Sequence, residues 1–213
     1  MSPIAYVRQY PSAGLLSVQL LGVLLYPWME ETALGRGLFG AFGLLVLGLA
    51  LHVVRRSPAM TWVAGLLAAL VVLLTLANAV LPSALLTMTV AVCEACFYFY
   101  ATISLIAYMN EDHRATTDEL YAVGATFTLL AWAFAHMYSV CQMLAPGSFA
   151  NTAARGWMDL LFLSFTTLSG VGLGDIVPLT AMAKSLVMIE EFAGVMYLAL
   201  VVSRLVALTT LRR

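Results

Sequence analysis

Charge is what this sequence has least of. Of its 213 residues, 10% are Asp, Glu, Lys or Arg and 62% are hydrophobic, and the mean hydropathy is +0.96. A soluble domain carries about 25% charged residues, so a solvated shell around one core is excluded and a membrane protein is indicated. A net charge of −1 offers no basic surface, and no nucleic-acid partner is expected. Cysteine and histidine are scarce at three each. Cys93 and Cys96 stand three apart on one apolar run, a spacing poor for a disulfide and incomplete for zinc, and Cys141 reads as a small buried hydrophobe. No histidine–carboxylate or serine–histidine set is spaced for catalysis, so an enzyme is not expected. There is no internal repeat and no low-complexity linker, and with only a few residues after the last apolar run no cytoplasmic nucleotide- or calcium-binding domain is expected. The run from Ala84 to Met109 has no Arg or Lys. A voltage sensor needs several on one helix, because each charge moved through the field contributes only about 2.3 kcal/mol per 100 mV.

What is present is apolar length. Six segments reach or approach the ~20 residues that a spanning helix needs: Ser12–Trp28, Leu34–Val54, Met60–Leu81, Ala84–Met109, Tyr121–Leu144 and Ser185–Leu208. The first comes after Arg8 without a small-residue cleavage site, so it is kept as a helix rather than a signal peptide. A seventh run, Trp157–Leu168, is too short to span and fits a re-entrant helix, tolerated where protein surrounds the non-helical backbone after it. The expected fold class is an all-α membrane protein. Placing both termini in the cytoplasm puts Arg8, Arg55, Arg56, Arg114, Arg204, Arg212 and Arg213 inside and Arg36, Arg155 and Lys184 outside, seven of ten on the favoured side. Pro82-Ser83 allows only a tight outer hairpin, and Asn110 to Glu119 is the longest inner linker. Two units are expected: residues 1–110 as a peripheral four-helix bundle and 111–213 as a second unit built around the re-entrant segment.

After that short run comes Thr166-Thr167-Leu168-Ser169-Gly170-Val171-Gly172-Leu173-Gly174-Asp175. Glycine at alternate positions admits backbone conformations that a Cβ penalises. Such a run can turn carbonyl oxygens toward a dehydrated cation. A glycine-rich turn between helices is the plainer explanation, and a dinucleotide loop is disfavoured because no βαβ pattern surrounds it.

The stretch resembles the selectivity filter of the tetrameric pore-loop potassium channel superfamily, and the chain is similar to its bacterial six-helix ion channel proteins. Trp157 to Pro178 resembles a pore helix, filter and outer mouth. Pro178, Lys184 and Ala193-Gly194 fall at inner-helix spacings, and Thr117-Asp118-Glu119-Leu120-Tyr121 to Pro146-Gly147-Ser148-Phe149 resembles the outer helix and turret. The likeness covers roughly the last hundred residues. It implies a homotetramer in lipid that passes K+ without a cofactor across the cell (inner) membrane, with the filter facing outward. Gly170, Val171, Gly172 and Leu173 would present carbonyls to K+ and Gly174 would make the exit turn. Gly170 stands where the common Thr-Val-Gly-Tyr-Gly filter has threonine, so a ring of hydroxyl oxygens is lost; Leu173 replaces the tyrosine that bonds outward to the pore helix. Leu173 does not by itself argue against potassium; the missing hydroxyl at Gly170 is what would relax discrimination against sodium, so a weakly selective sodium and potassium channel is the alternative. From another class, a proton-linked secondary transporter would use Glu94, Glu190 and Glu191 as a relay, but would ordinarily show repeated halves or matching broken helices.

Further residues complete the expected site. Asp159 near the start of the pore helix complements its positive end, while the other end points partial negative charge at a cation. Asp175 would concentrate cations at the outer mouth. Thr166, Thr167 and Ser169 can bond filter backbone from behind, or simply back-bond within the helix. Gly194 falls at the inner-helix hinge position, with close helix packing as the equal alternative. Val195, Leu198 and Val202 share one face with Glu191, and the resemblance makes that face the cavity lining. Glu190 and Glu191 stand about 100° apart around their helix. At intramembrane penalties of about 2.5–3.5 kcal/mol for a carboxylate, one of them is expected to stabilise the filter region and to make conduction pH-dependent, against a purely structural hydrogen bond. Glu94 has a packing or a proton-linked role. His136, among Trp132, Phe134 and Tyr138, reads as a packed, hydrogen-bonded imidazole, and His113 as a solvated linker residue.

Overall fold

The computed structural model describes residues 9–30, 33–55, 57, 59–110, 116–149 and 155–210. Arg8, Arg56, Glu111, Asp112, His113, Arg114, Arg212, Arg213 and the side chain of Arg36 lie outside the described residues. The described chain is helical: α1 (Pro11–Glu30), α2 (Ala33–Val54), α3 (Thr61–Val80), α4 (Ala84–Asn110), α5 (Thr117–Leu144), α6 (Trp157–Leu168) and α7 (Ala181–Thr210). Among the described residues α1, α3, α4, α5 and α7 are long and apolar enough to cross a membrane, while α6 has 12 residues. α2 is a 22-residue helix whose described apolar stretch is Phe42–Val54.

Two helices begin earlier than hydropathy indicates, because their first turns are polar and are held by caps. α5 starts at Thr117 rather than Tyr121: the Thr116 hydroxyl accepts the Glu119 N–H at 3.2 Å, the pattern of a Thr-x-x-Glu capping box. α7 starts at Ala181 rather than Ser185, with the Thr180 hydroxyl accepting the Ala183 N–H at 3.3 Å. The α3–α4 hairpin is fastened by Asn78 Oδ1, which accepts the Ser83 N–H at 3.4 Å, and by Ser83 Oγ, which accepts the Leu86 N–H at 3.1 Å.

The chain divides into two compact units, Met1–Val72 with Tyr100–Thr128, and Leu73–Phe99 with Leu129–Arg213. In the first, the buried Asp118 closes the start of α1. Its carboxylate accepts the Ser12 N–H at 3.0 Å and the Ser12 hydroxyl at 2.9 Å, and the Tyr108 hydroxyl lies 3.4 Å away. Pro11 opens α1 without an N–H to satisfy, so a carboxylate from α5 caps the next free amide. The second unit is centred on the latter half of α5, where Leu129 to Tyr138 is almost wholly buried. Tyr98 lies edge-on to Trp132 and stacks on His136, and His136 meets Trp157 with ring centroids 4.3 Å apart. His136 Nδ1 is 3.1 Å from a carboxyl oxygen of Glu94, so Glu94 is a close polar and packing partner of the imidazole in this unit.

Candidate functional site

The site residues all lie in the second unit. α6 is fixed at both ends. At its start Gly156 is extended and gives no side-chain cap, and the approach is held instead by Gln142 of α5. Its Oε1 accepts the Arg155 N–H at 2.9 Å and its Nε2 donates to the Arg155 carbonyl at 3.0 Å. Asp159 stands in the first turn, 4.0 Å from Arg155 and half exposed, where its charge complements the helix dipole.

At the other end α6 closes in a Schellman motif. Gly170 N–H donates to the Thr167 carbonyl and Val171 N–H to the Thr166 carbonyl, each at 3.0 Å, and Gly170 has φ +71°. Gly170 is therefore the helix-terminating glycine, which gives a physical reason for its identity that the comparison with a threonine filter leaves out. Gly172 N–H also reaches the Thr166 carbonyl at 3.0 Å. The alternation continues with Gly172 at φ +55° and Gly174 at φ +78°, while Val171 and Leu173 keep negative φ. A Cβ built on any of the three glycines would meet nothing within 4 Å, so the requirement is conformational rather than steric. Residues 169–175 are exposed, and among the described residues the carbonyls of 170–174 accept no backbone hydrogen bond. Thr166 and Ser169 spend their hydroxyls on helix carbonyls, Leu163 at 2.9 Å and Thr166 at 3.2 Å; Thr167 is buried beside the Tyr138 hydroxyl. Behind the strand is a cavity of about 190 Å³ lined by Thr166, Thr167, Gly172, Asp175, Val187 and Glu191, so Glu191 does reach the back of the glycine run. Beyond Pro178 the chain is pinned by the Leu179 N–H on the Ser148 carbonyl at 2.8 Å.

α7 has two faces. Glu190, Gly194, Tyr197 and Val201 form a buried stripe at helical spacing, while Glu191, Val195, Leu198 and Val202 are exposed. At Gly194 a Cβ would lie 2.1 Å from the carbonyl oxygen of Leu168, the last residue of α6. The observed part of Gly194 is thus close packing against the end of α6, within a helix that runs unbroken from Ala181 to Thr210. One turn earlier Glu190 is fully buried, bonded through one oxygen to the Tyr138 hydroxyl of α5 and through the other to the Ser164 hydroxyl of α6. Ser164 also reaches the Ala131 carbonyl at 2.8 Å. Tyr138, Ser164 and Gln142 were not singled out in the sequence. The available signal was Glu190 itself, since a carboxyl in an apolar run requires polar partners from other apolar runs.

Residues 125–210 match the family model described as an ion channel, a span from within α5 through α6 and the glycine run to the end of α7. No curated protein and no solved structure matches the chain. The matched segment is a pore-loop ion channel domain, and the five helices among the described residues that are long and apolar enough to cross a membrane make the chain a multi-pass membrane protein.

Proposed function

We propose that four copies of this chain form a potassium channel in the cell membrane, in which residues 170–174 conduct cations passively through rings of backbone carbonyls. One observation carries the reading: five consecutive exposed residues with unengaged carbonyls, with positive φ at each of the three alternating glycines. Carbonyls left free in this way can replace a cation's hydration shell. Asp175, exposed just beyond them, would raise the local cation concentration when four copies meet. The C-terminal end of α6 adds the negative end of its dipole at the strand's inner side. The six-span topology with cytoplasmic termini rests on the distribution of Arg and Lys, and the helices before α5 serve as scaffold, α4 having no basic residue. Val195, Leu198 and Val202 would line an apolar cavity below the filter. A second reading, a pore that hardly separates sodium from potassium, is favoured by Gly170, which brings no hydroxyl to the innermost position.

The test is the reversal potential of the purified channel in planar bilayers under opposed potassium and sodium solutions, with Asp175→Asn alongside. Reversal near the potassium equilibrium potential supports the first reading, and reversal near zero with both cations carried supports the second. In either case Asp175→Asn should lower the current most at low salt, where the charge is least screened. A protein that passes no cation current refutes both.

A further inference from the structure

The polar groups buried between α5, α6 and α7 leave one hydrogen to be accounted for. Tyr138, Ser164 and Glu190 are each 0% exposed. Three oxygen–oxygen contacts join them: Tyr138 Oη with Glu190 Oε2, Ser164 Oγ with Glu190 Oε1, and Ser164 Oγ with the Ala131 carbonyl. Each contact needs one hydrogen between its oxygens, because two oxygens at hydrogen-bond distance with only lone pairs facing repel each other. Tyr138 and Ser164 bring one each, and a backbone carbonyl brings none. An ionised carboxylate also brings none, so a charged Glu190 leaves one contact bare. Among the described residues, moreover, no basic side chain forms an ion pair with it, and a buried charge without a partner is not tolerated. A neutral Glu190 supplies the third hydrogen. The bonds then run in one direction, from the Tyr138 hydroxyl to Oε2, from Oε1–H to Ser164 Oγ, and from the Ser164 hydroxyl to the Ala131 carbonyl.

Ala131 and Tyr138 stand seven residues apart, two turns along one face of α5. The chain of bonds therefore leaves α5, passes through α7 and α6, and returns to α5 two turns away, tying the three helices together. The next turn of α7 brings Gly194 against the Leu168 carbonyl, directly before the residues of the glycine run. We propose that Glu190 is held as a neutral acid and that, with Tyr138 and Ser164, it forms a positioning network that fixes the pore helix and thereby the carbonyl geometry of residues 170–174. The positioning role rests on the proposed filter; the protonation state does not.

Two measurements on the full chain in lipid test this. Infrared spectra of wild type, Glu190→Gln and Glu191→Gln at neutral pH read the carboxyl directly. A carboxylic-acid carbonyl band should be present in wild type, reduced in Glu190→Gln and unchanged in Glu191→Gln. Spectra in which Glu190→Gln does not reduce that band overturn the neutral acid. Cation currents in planar bilayers read positioning. Glutamine presents an N–H toward Ser164 and a carbonyl toward Tyr138, the polarity of the neutral acid, so Glu190→Gln should keep wild-type current. Ser164→Ala and Tyr138→Phe each remove one hydroxyl and leave the helices their apolar contacts. Each should lower the current about tenfold, the scale of one net hydrogen bond. If Glu190→Gln is as impaired as Ser164→Ala, or if both hydroxyl deletions conduct like wild type, the positioning network is wrong. A wild type without cation current removes the filter reading and the positioning role with it, while the infrared result still decides whether Glu190 holds its proton.

Discussion

Replacing Gly194 with alanine separates two roles for the inner helix. The added Cβ would lie 2.1 Å from the Leu168 oxygen, 2.9 Å from its carbonyl carbon and 3.1 Å from its Cα. Ordinary contact begins at 3.4 Å, so α6 and α7 must part locally by about 1.3 Å (3.4 − 2.1). The obstacle is backbone, which cannot rotate aside as a side chain can. Overpacking of this kind costs about 1–3 kcal/mol, and each kcal/mol lowers Tm by about 2–4 °C in a chain of this size. Leu168 ends α6, and the Gly170, Val171 and Gly172 amides hang from the Thr166 and Thr167 carbonyls, so the displacement reaches the start of the glycine run. Gly194→Ala should therefore lower the Tm of the purified protein and move its potassium–sodium reversal potential. A hinge at Gly194 makes the opposite forecast. Alanine favours a helix by about 1 kcal/mol over glycine, so stiffening a hinge would raise Tm and change open probability with the reversal potential unmoved. That second pattern would refute the packing argument.

Three other substitutions probe the same geometry. Gly170→Thr should weaken folding by roughly 1–2 kcal/mol, the cost of a left-handed conformation in an L residue, and should lose current; a gain in potassium discrimination would show that Gly170 is not bound to its cap conformation. Asp118→Ala removes both acceptors for Ser12 and should destabilise the protein by about 0.5–2 kcal/mol, read as a fall in Tm, with Asp118→Asn lying between; an unchanged Tm for the alanine variant would show that the α1 cap contributes nothing. Gln142→Ala breaks two hydrogen bonds to the Arg155 backbone, each worth about 1 kcal/mol net, and hydrogen exchange at the Arg155 amide should accelerate; unchanged exchange would mean that the approach to α6 is held by other contacts.

The helices were legible because hydropathy over some twenty residues is an unambiguous signal, and their starts were not, because Thr116 and Thr180 set them through single hydroxyls. The glycine ladder was legible because glycine at alternate positions signals the positive φ that Gly170, Gly172 and Gly174 adopt. Aligning Gly170 with a threonine left out its second role, as the cap of α6. The neglected sign was local, a glycine immediately after the last turn of an apolar helix, which is where a C-terminal cap belongs. Glu190 was legible as an anomaly and not as a network. Its partners lie 52 and 26 residues away in other helices, and periodicity within one helix carries no information about which hydroxyl from another will face it. Likewise the two faces of α7 could be separated by spacing, but only the contact with Leu168 tells which one turns toward the pore helix.

The exposed surfaces of the second unit place contradictory demands on any single solvent. Among the described residues the exposed carbonyls of 170–174 accept no backbone hydrogen bond, and in hydrocarbon each such group costs several kcal/mol. A few turns along α7, Phe192 and Val195 are 69% and 63% exposed, with Met188 and Ile189 close to the same level, a surface that water does not accept. Lipid would suit the second surface and not the first, and water the reverse. Copies arranged about an axis meet both demands at once, turning the carbonyls toward a shared aqueous file and covering much of the inner helix with neighbouring chains. Glu191 fits the same solution, because it stands on the exposed face of α7 yet lines the cavity behind the filter, where a neighbouring copy would enclose it. A single glycine run has no ring to close, so the proposed conduction requires the assembly and not the single chain. A monomer that conducts cations would contradict this argument more directly than any side-chain substitution.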